Sequence, residues 1–393
     1  MPLSHVAILA TGAICALSGC TPGGGVVSVG APAQQATATG AAVRGPAPQL
    51  HVSGRFLVTQ DDRPIQLRGV NRAMWGVACL NGHVTQGPVS LEGTNAIAAW
   101  GANAIRIQLN EDCYLGINGV PAASSGAVYR DALGEYVKDA NESGLDVILT
   151  LGFNAPGSEL STQEETMADE SHAPTFWADV THQFGNNRAV IFDLYNEPRP
   201  FDGATTPAAW SCILNGGNCG DSAFTIGDYT FTVFPVAGMQ QLVDLVRQDG
   251  SKNVLMIGGA HAANSLNDWL KYEPKDPMHD LAASIHVYNN SGTLTSEEHD
   301  IAPVAAKVPV ITGEMGEDGQ QFTGCSYSYD SQYTAWADSE YVSYLAFDWD
   351  DWKACDGLIT NYNGTPRAPY GTGWREHLLK DAAAPPRPDW LWR

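Results

Sequence analysis

Between Ile65 and Asp350 the hydrophobic pattern changes period repeatedly, with short runs rich in β-branched residues alternating with longer stretches of helical spacing. No other feature restricts the fold as much, because strands joined through helices pair in parallel within one sheet. Eight runs have this character: Ile65–Asn71, Ala104–Leu109, Asp146–Phe153, Val190–Glu197, Val254–Gly259, Ala283–Tyr288, Pro309–Gly316 and Tyr341–Asp350. Amphipathic stretches such as Tyr129–Ser143 and Val236–Gln248 lie between them, the latter with Met239, Leu242, Val243 and Val246 at helical spacing. Eight strands with intervening helices predict an α/β fold, a closed (β/α)8 TIM barrel. Ahead of it, Gln49–Pro64 carries turn residues at Gly54-Arg55 and Asp61-Asp62 and predicts a short N-terminal hairpin leading into the first strand.

The first charged side chain is Arg44, and the residues before it fall into two unlike parts. An apolar run over residues 5–19 is shorter than the ~20 residues a bilayer span needs, and it reads as the core of a signal peptide. It ends in Leu17-Ser18-Gly19-Cys20, which resembles the bacterial lipobox, although no Lys or Arg precedes it. That resemblance implies cleavage after Gly19 and a lipid on Cys20. Residues 20–48, built mostly from Gly, Ala, Pro, Thr, Val and Gln, are expected to form a flexible tether, and 49–393 the folded domain. A net charge of −22 opposes binding to a nucleic-acid backbone, while 44% hydrophobic residues supply a large core. The expectation is therefore an exported protein, held at the cell surface by lipid alone or secreted, and monomeric.

In a barrel of this kind the chemistry gathers at the C-terminal ends of the strands. The fourth run ends Asn196-Glu197-Pro198 and the seventh contains Gly313-Glu314-Met315, so two carboxylates terminate strands on opposite sides of one pocket. Glycosidic bond cleavage requires such a pair, one acid to protonate the leaving oxygen and one carboxylate to attack the anomeric carbon. His286 and Tyr288, two apart on a strand, point to one face. From there the phenol can donate to Glu314 and favour its ionised form, and Arg106 adds positive charge beside it. That asymmetry leaves proton donation to Glu197.

These residues carry a resemblance to glycoside hydrolase family 5, in the clan of retaining (β/α)8 glycosidases, over about residues 50–380. Asn196-Glu197-Pro198 is similar to the strand-four motif, which implies an acid/base at Glu197 and a contact to the sugar 2-hydroxyl at Asn196. Glu314 is similar to the strand-seven nucleophile. Leu67-Arg68-Gly69-Val70-Asn71, Arg106, the His286/Tyr288 pair and Trp349 resemble further signatures of strands one, two, six and eight. The third strand departs: Gly152 stands where members commonly carry a histidine.

Trp75, Trp349 and Trp352 lie at or just beyond strand ends, where flat rings can stack on pyranose faces. Trp100, Trp177, Trp269 and Trp336 fall on expected helices and read as core, and Trp390 and Trp392 as a clasp for the tail. Asp348, Asp350 and Asp351 read as a solvated rim rather than a calcium loop. With Cys15 in the leader and Cys20 lipidated, six cysteines remain. Cys79 and Cys113 follow strands one and two, Cys325 and Cys355 follow strands seven and eight, and Cys212 and Cys219 share one loop, so neighbouring loops predict three disulfides in those pairs. Paired C-x-x-C spacing, a G-x-S-x-G elbow, a phosphate-binding loop and H-E-x-x-H are all missing, and neither a metal nor a cofactor is expected. The reading is a retaining β-glycosidase on β-linked polysaccharide or oligosaccharide, an endo-β-1,4-glucanase first, with a β-mannanase or other β-glucanase as alternatives. A surface lipoprotein that binds glycan without cutting it is the rival from another class.

Overall fold

The computed structural model describes residues 45–383 apart from 220–223, 227–228, 291, 318–324 and 353–355. The leader, Cys20, nearly all of the tether, Cys355, Trp390 and Trp392 lie outside the described residues. Ala47 already donates to the Asn141 carbonyl at 2.8 Å, so chain predicted as tether is tied to the domain. Among the described residues, no helix is long and apolar enough to cross a membrane.

Eight parallel strands close into a barrel in chain order. They are β1 (Arg68–Arg72), β2 (Ala104–Asn110), β3 (Asp146–Phe153), β4 (Val190–Asp193), β5 (Leu255–Gly258), β6 (Leu281–Tyr288), β7 (Val310–Gly316) and β8 (Ser343–Ala346). The outer layer includes α1 (Leu91–Ala98), α2 (Ala127–Glu142), α3 (Ala173–Phe184), α4 (Met239–Gln248), α5 (Leu294–Ala305), α6 (Ser328–Glu340) and α7 (Tyr370–Ala382). The β5–β6 crossover passes through a 3-10 turn, Trp269–Lys271, where the alternation predicts a helix. All eight expected strands form, with β3 as predicted and β4 and β8 shorter. β4 ends at Asp193, where the Leu194 carbonyl turns to Trp177 Nε1 of α3 at 3.0 Å, although the Leu194 amide still donates to the Met256 carbonyl of β5 at 3.1 Å and the Asn196 amide to the Leu151 carbonyl of β3 at 3.0 Å. Asn196 and Glu197 therefore stand on a loop above the strand.

The predicted hairpin pairs Leu50–Ser53 with Phe56–Thr59 in antiparallel register around Gly54-Arg55. Its Leu50 and Leu57 pack against Ala104, Ile148, Ile191, Met256, Ala282, Ile311 and Leu345 in one apolar cluster. Most of these are the first or second residues of their strands, so the hairpin plugs the bottom of the barrel and leaves the opposite end for chemistry. On that functional side β7 slips register against β6 between Ile285 and His286, so that Thr312 pairs with Ile285 and Glu314 with His286. Gly313 is the extra residue. A Cβ there would lie 3.1–3.3 Å from Ser284 Oγ, His286 Nε2 and Arg106 Nε, so the bulge needs the smallest side chain.

Two disulfides join described residues in the predicted pairs, Cys79–Cys113 and Cys212–Cys219. Cys79 sits in the turn Ala78–Asn81 after β1 and Cys113 in the short helix Glu111–Leu115 after β2, which places the first bridge between adjacent mouth loops. Cys325 is also disulfide-bonded, and Cys355, the partner expected for it, is outside the described residues.

Candidate active site

Arg106 organises the barrel's interior at the mouth. Its side chain is fully buried and donates to Asp193 Oδ2 from Nε (3.0 Å) and Nη2 (2.7 Å), to Glu314 Oε1 (2.8 Å) and Asn71 Oδ1 (3.1 Å) from Nη1, and to Asn196 Oδ1 (2.6 Å) from Nη2. Burial opposes its charge, but Asp193 and Glu314 more than compensate and its pKa is raised. A guanidinium suits this place because its fixed fork satisfies several acceptors at once.

Glu314, at 0% exposure, takes three donors: Arg106 Nη1 and Gln108 Nε2 (2.7 Å) on Oε1, and the Tyr288 hydroxyl (2.8 Å) on Oε2. Burial alone would raise its pKa, yet His286, Arg106 and the Tyr288 hydroxyl together hold it below the ordinary glutamate range. Burial and the nearby Glu314 push Tyr288 well up, which keeps it a neutral donor. Glu197 comes from the loop above β4, and its Oε1 lies 3.0 Å from His286 Nδ1 while Oε2 lies 3.5 Å from Arg199 Nη1. His286 Nδ1 is also 3.7 Å from Glu314 Oε2, and one oxygen each of Glu197 and Glu314 falls within 4.8 Å of the other and of the imidazole. The structure thus brings Arg106, Asn196, Glu197, His286, Tyr288 and Glu314 into one cluster. Two carboxyls, one held ionised and the other at the rim with 8% exposure, can serve a nucleophile and a proton carrier.

The backbone behind Glu197 is unusual. His261, Ala262 and Ala263, just past β5, all have left-handed φ (59°, 54° and 57°), a conformation that costs roughly 1–2 kcal/mol per residue outside glycine. Ala262 donates to the Pro198 carbonyl at 3.0 Å, and His286 donates to the Ala263 carbonyl at 2.9 Å. The strained turn therefore ties the Glu197 loop to the strand that bears His286.

Two expected sugar contacts are corrected. Trp75 is 0% exposed, its ring packed on Tyr129 (5.5 Å) and Tyr136 (5.6 Å); Trp349 is 1% exposed and packs edge-on against Trp100 (4.8 Å) in the outer layer. Neither has a free face, so both are core. The aromatic near the cluster is instead Phe347, 6.3 Å from the Tyr288 ring and 6.2 Å from the half-buried Trp352. Asp348 and Asp350 are likewise buried rather than on a solvated rim, and burial together with Asp350 and then Asp356 raises Asp348 well above the ordinary range.

Residues absent from the sequence reading also belong to the site. Gln108 lies two residues beyond Arg106 on β2, on the same face, so period-two reasoning could have found it. Gly152 is what accommodates it: a Cβ at 152 would sit 3.3 Å from Gln108 Cβ. Arg199 follows Glu197 by two residues. Glu164, from the long loop between β3 and α3, accepts from Asn196 Nδ2 at 2.9 Å, and no periodicity or motif marks it.

Comparison with known proteins points one way. Residues 58–353 match the family described as Cellulase (glycosyl hydrolase family 5). Endoglucanase N of Pectobacterium atrosepticum is 20% identical over 334 residues, covering 84% of this chain and 63% of that protein, so the chain spans less than two thirds of this relative. Among solved structures, a β-glucanase from Saccharophagus degradans in complex with cellotetraose superposes with a TM-score of 0.63 at 17% identity, over 90% of this chain and 98% of that one. The catalytic domain of a mannanase from Streptomyces sp. SirexAA-E gives 0.56 at 18% identity, over 86% and 92%. At these identities the superpositions establish the shared fold.

Proposed function

The chain belongs to the cellulase family, glycosyl hydrolase family 5, and on that premise we propose that it cleaves β-linked polysaccharide with retention, Glu314 as nucleophile and Glu197 as acid/base. One observation carries the reading: the two carboxyls approach within 4.8 Å while three donors hold Glu314 ionised. Retaining enzymes place their carboxyls about 5–5.5 Å apart, whereas inverting ones need about 6.5–9.5 Å to admit a water. Glu197 gives its proton to the glycosidic oxygen as Glu314 attacks the anomeric carbon, the alcohol departs, and a glycosyl ester forms on Glu314. Glu197, now ionised, takes a proton from water, which attacks the same carbon and releases Glu314. Two inversions cancel.

Among substrates, β-1,4-glucan attacked internally is our first choice, since relatives in the family bear the name endoglucanase. β-Mannan is the second, supported by the mannanases among similar folds. The deciding experiment compares Glu314→Gln and Glu197→Gln on an aryl β-cellobioside with a leaving group that needs no proton. Glu314→Gln should be inactive. Glu197→Gln, lacking ~10²–10⁴-fold from proton transfer, should accumulate the ester and recover turnover when azide is added. Equal residual activity in both variants, without azide rescue, refutes the roles. Rates on cellulose derivatives and mannan then set the sugar.

We further infer export with a lipid on Cys20, supported by the apolar run over residues 5–19 and the four-residue motif ending at that cysteine. Mass spectrometry of the mature N-terminus tests this, and an unmodified terminus downstream of Cys20 refutes anchoring.

A further inference from the structure

Glu164 is a further carboxyl in the active site, beyond Glu197, Glu314 and the Asp193 paired with Arg106, and the double displacement has no task for it. Its placement is built. The Glu164 carbonyl accepts from Arg199 Nη2 (2.6 Å), the Glu165 carbonyl from the Tyr195 hydroxyl (2.6 Å), and the Thr166 carbonyl from the Arg199 amide (2.9 Å). Glu165 N–H in turn donates to Asn154 Oδ1 at 3.3 Å. The loop from 164 to 166 is thereby laid along Tyr195–Arg199, the segment that carries Asn196 and Glu197. Through Oε2 the Glu164 side chain takes one proton of the Asn196 amide, while Oε1 is buried and has no hydrogen-bond partner among the described residues.

Leaving a buried polar atom unpaired is costly, and such an atom inside an active site marks where a ligand group belongs. Asn196 locates that group. Its Oδ1 is occupied by Arg106, and its amide has two protons, of which Glu164 takes one and the other remains for substrate. Because Arg106 also holds the nucleophile candidate Glu314, the ring that Asn196 meets is the one whose anomeric carbon reacts. On β3, Gly152 offers no side chain, and Gln108, packed against it, is turned to Glu314.

We propose that Glu164 is a direct sugar-binding residue of the subsite for the reacting ring, its Oε1 bonding the 3-hydroxyl beside the 2-hydroxyl that Asn196 contacts. The inference rests on the glycosidase reading above. It deepens that reading, because the loop after β3 then supplies the polar recognition that strand β3 itself lacks. Burial and the adjacent Glu197 raise the pKa of the Glu164 carboxyl well above its ordinary value, while Arg199 and the Asn196 amide act in the opposite direction.

The test measures kcat/KM for two aryl β-cellobiosides, with and without the 3-hydroxyl on the ring attached to the aryl group, in wild type, Glu164→Gln and Glu164→Ala. The ratio between the two substrates within one preparation does not depend on how much of it is folded. Wild type should prefer the parent sugar by roughly 10–100-fold, the worth of one buried hydrogen bond to a strongly polar group. Glu164→Ala should lose that factor on the parent alone, bringing its ratio near one, with Glu164→Gln in between. A ratio in Glu164→Ala equal to that of wild type overturns the proposal and leaves the glycosidase reading standing. Failure of wild type to hydrolyse either glycoside or the corresponding aryl β-mannobioside overturns both.

Discussion

The Tyr288 hydroxyl donates to Glu314 Oε2 at 2.8 Å, from a strand whose His286 stands opposite Glu314 in the β6–β7 register. The bulge at Gly313 creates that pairing. One inserted residue turns the Glu314 carboxyl toward the phenol, the imidazole and Arg106 together, and this convergence lowers its pKa against the effect of burial.

Tyr288→Phe removes one donor to the charged form. Hydrogen bonds to ionised groups contribute about 1.5–3 kcal/mol, so kcat/KM should fall roughly 10–100-fold. The pH profile carries more information. With a donor lost, Glu314 protonates more readily, and the acid limb of kcat/KM should move to higher pH. Stability follows the same sign: the lowered pKa stabilises the fold above the unfolded value and that contribution is lost as pH falls through the folded value, so the variant should depend less on pH in that acid window. An acid limb that stays in place contradicts the hydrogen bond's role.

Trp349 and Trp352 should separate packing from binding. Trp349→Ala empties a closed core position and should cost about 3–5 kcal/mol in denaturant unfolding, with KM of the folded enzyme unchanged. Trp352→Ala should leave stability near wild type and raise KM for cello-oligosaccharides. The reverse pattern restores Trp349 to the sugar site.

The disulfides should differ in worth. Cys79–Cys113 closes a separation of 34 residues and Cys212–Cys219 one of 7, so the chain-entropy model gives about 4 kcal/mol for the first and about 2 kcal/mol for the second. Denaturant melts of the two double Cys→Ala variants check the order. Peptide mapping without reductant should also recover Cys325 joined to Cys355, and free thiol at Cys355 counts against adjacent mouth loops there.

Much of this architecture was legible because a barrel repeats one local rule eight times, and an error at a single strand end does not change the count. Asp146–Phe153 emerged with its predicted ends because every residue of it is apolar or buried and turn residues bound it. Val190–Glu197 ran too long because Leu194 and Tyr195 are as apolar as strand residues, and hydrophobicity does not reveal that the Leu194 carbonyl turns out of the sheet to Trp177. The carboxylates, Arg106 and the His286/Tyr288 pair were readable from strand ends and period two. Ring orientation was not. Trp75 and Trp349 were placed near the mouth correctly in sequence, but packing on Tyr129, Tyr136 and Trp100 decides which way each faces. Glu164 was invisible because its loop is positioned by Tyr195 and Arg199, contacts across 30 or more residues that leave no local pattern.

The central claim is that Glu314 attacks the sugar, and trapping tests it most directly. A 2-deoxy-2-fluoro β-cellobioside with a dinitrophenolate leaving group should form the ester on wild type and resist its hydrolysis, because the fluorine disfavours the positively charged transition state of both steps while the leaving group rescues only the first. Mass spectrometry of the digested protein should then find one added fluorocellobiosyl group, on the peptide containing Glu314 and absent in Glu314→Gln. A label on Glu197, or steady turnover of the natural glycoside with inverted product and no label at all, contradicts the account.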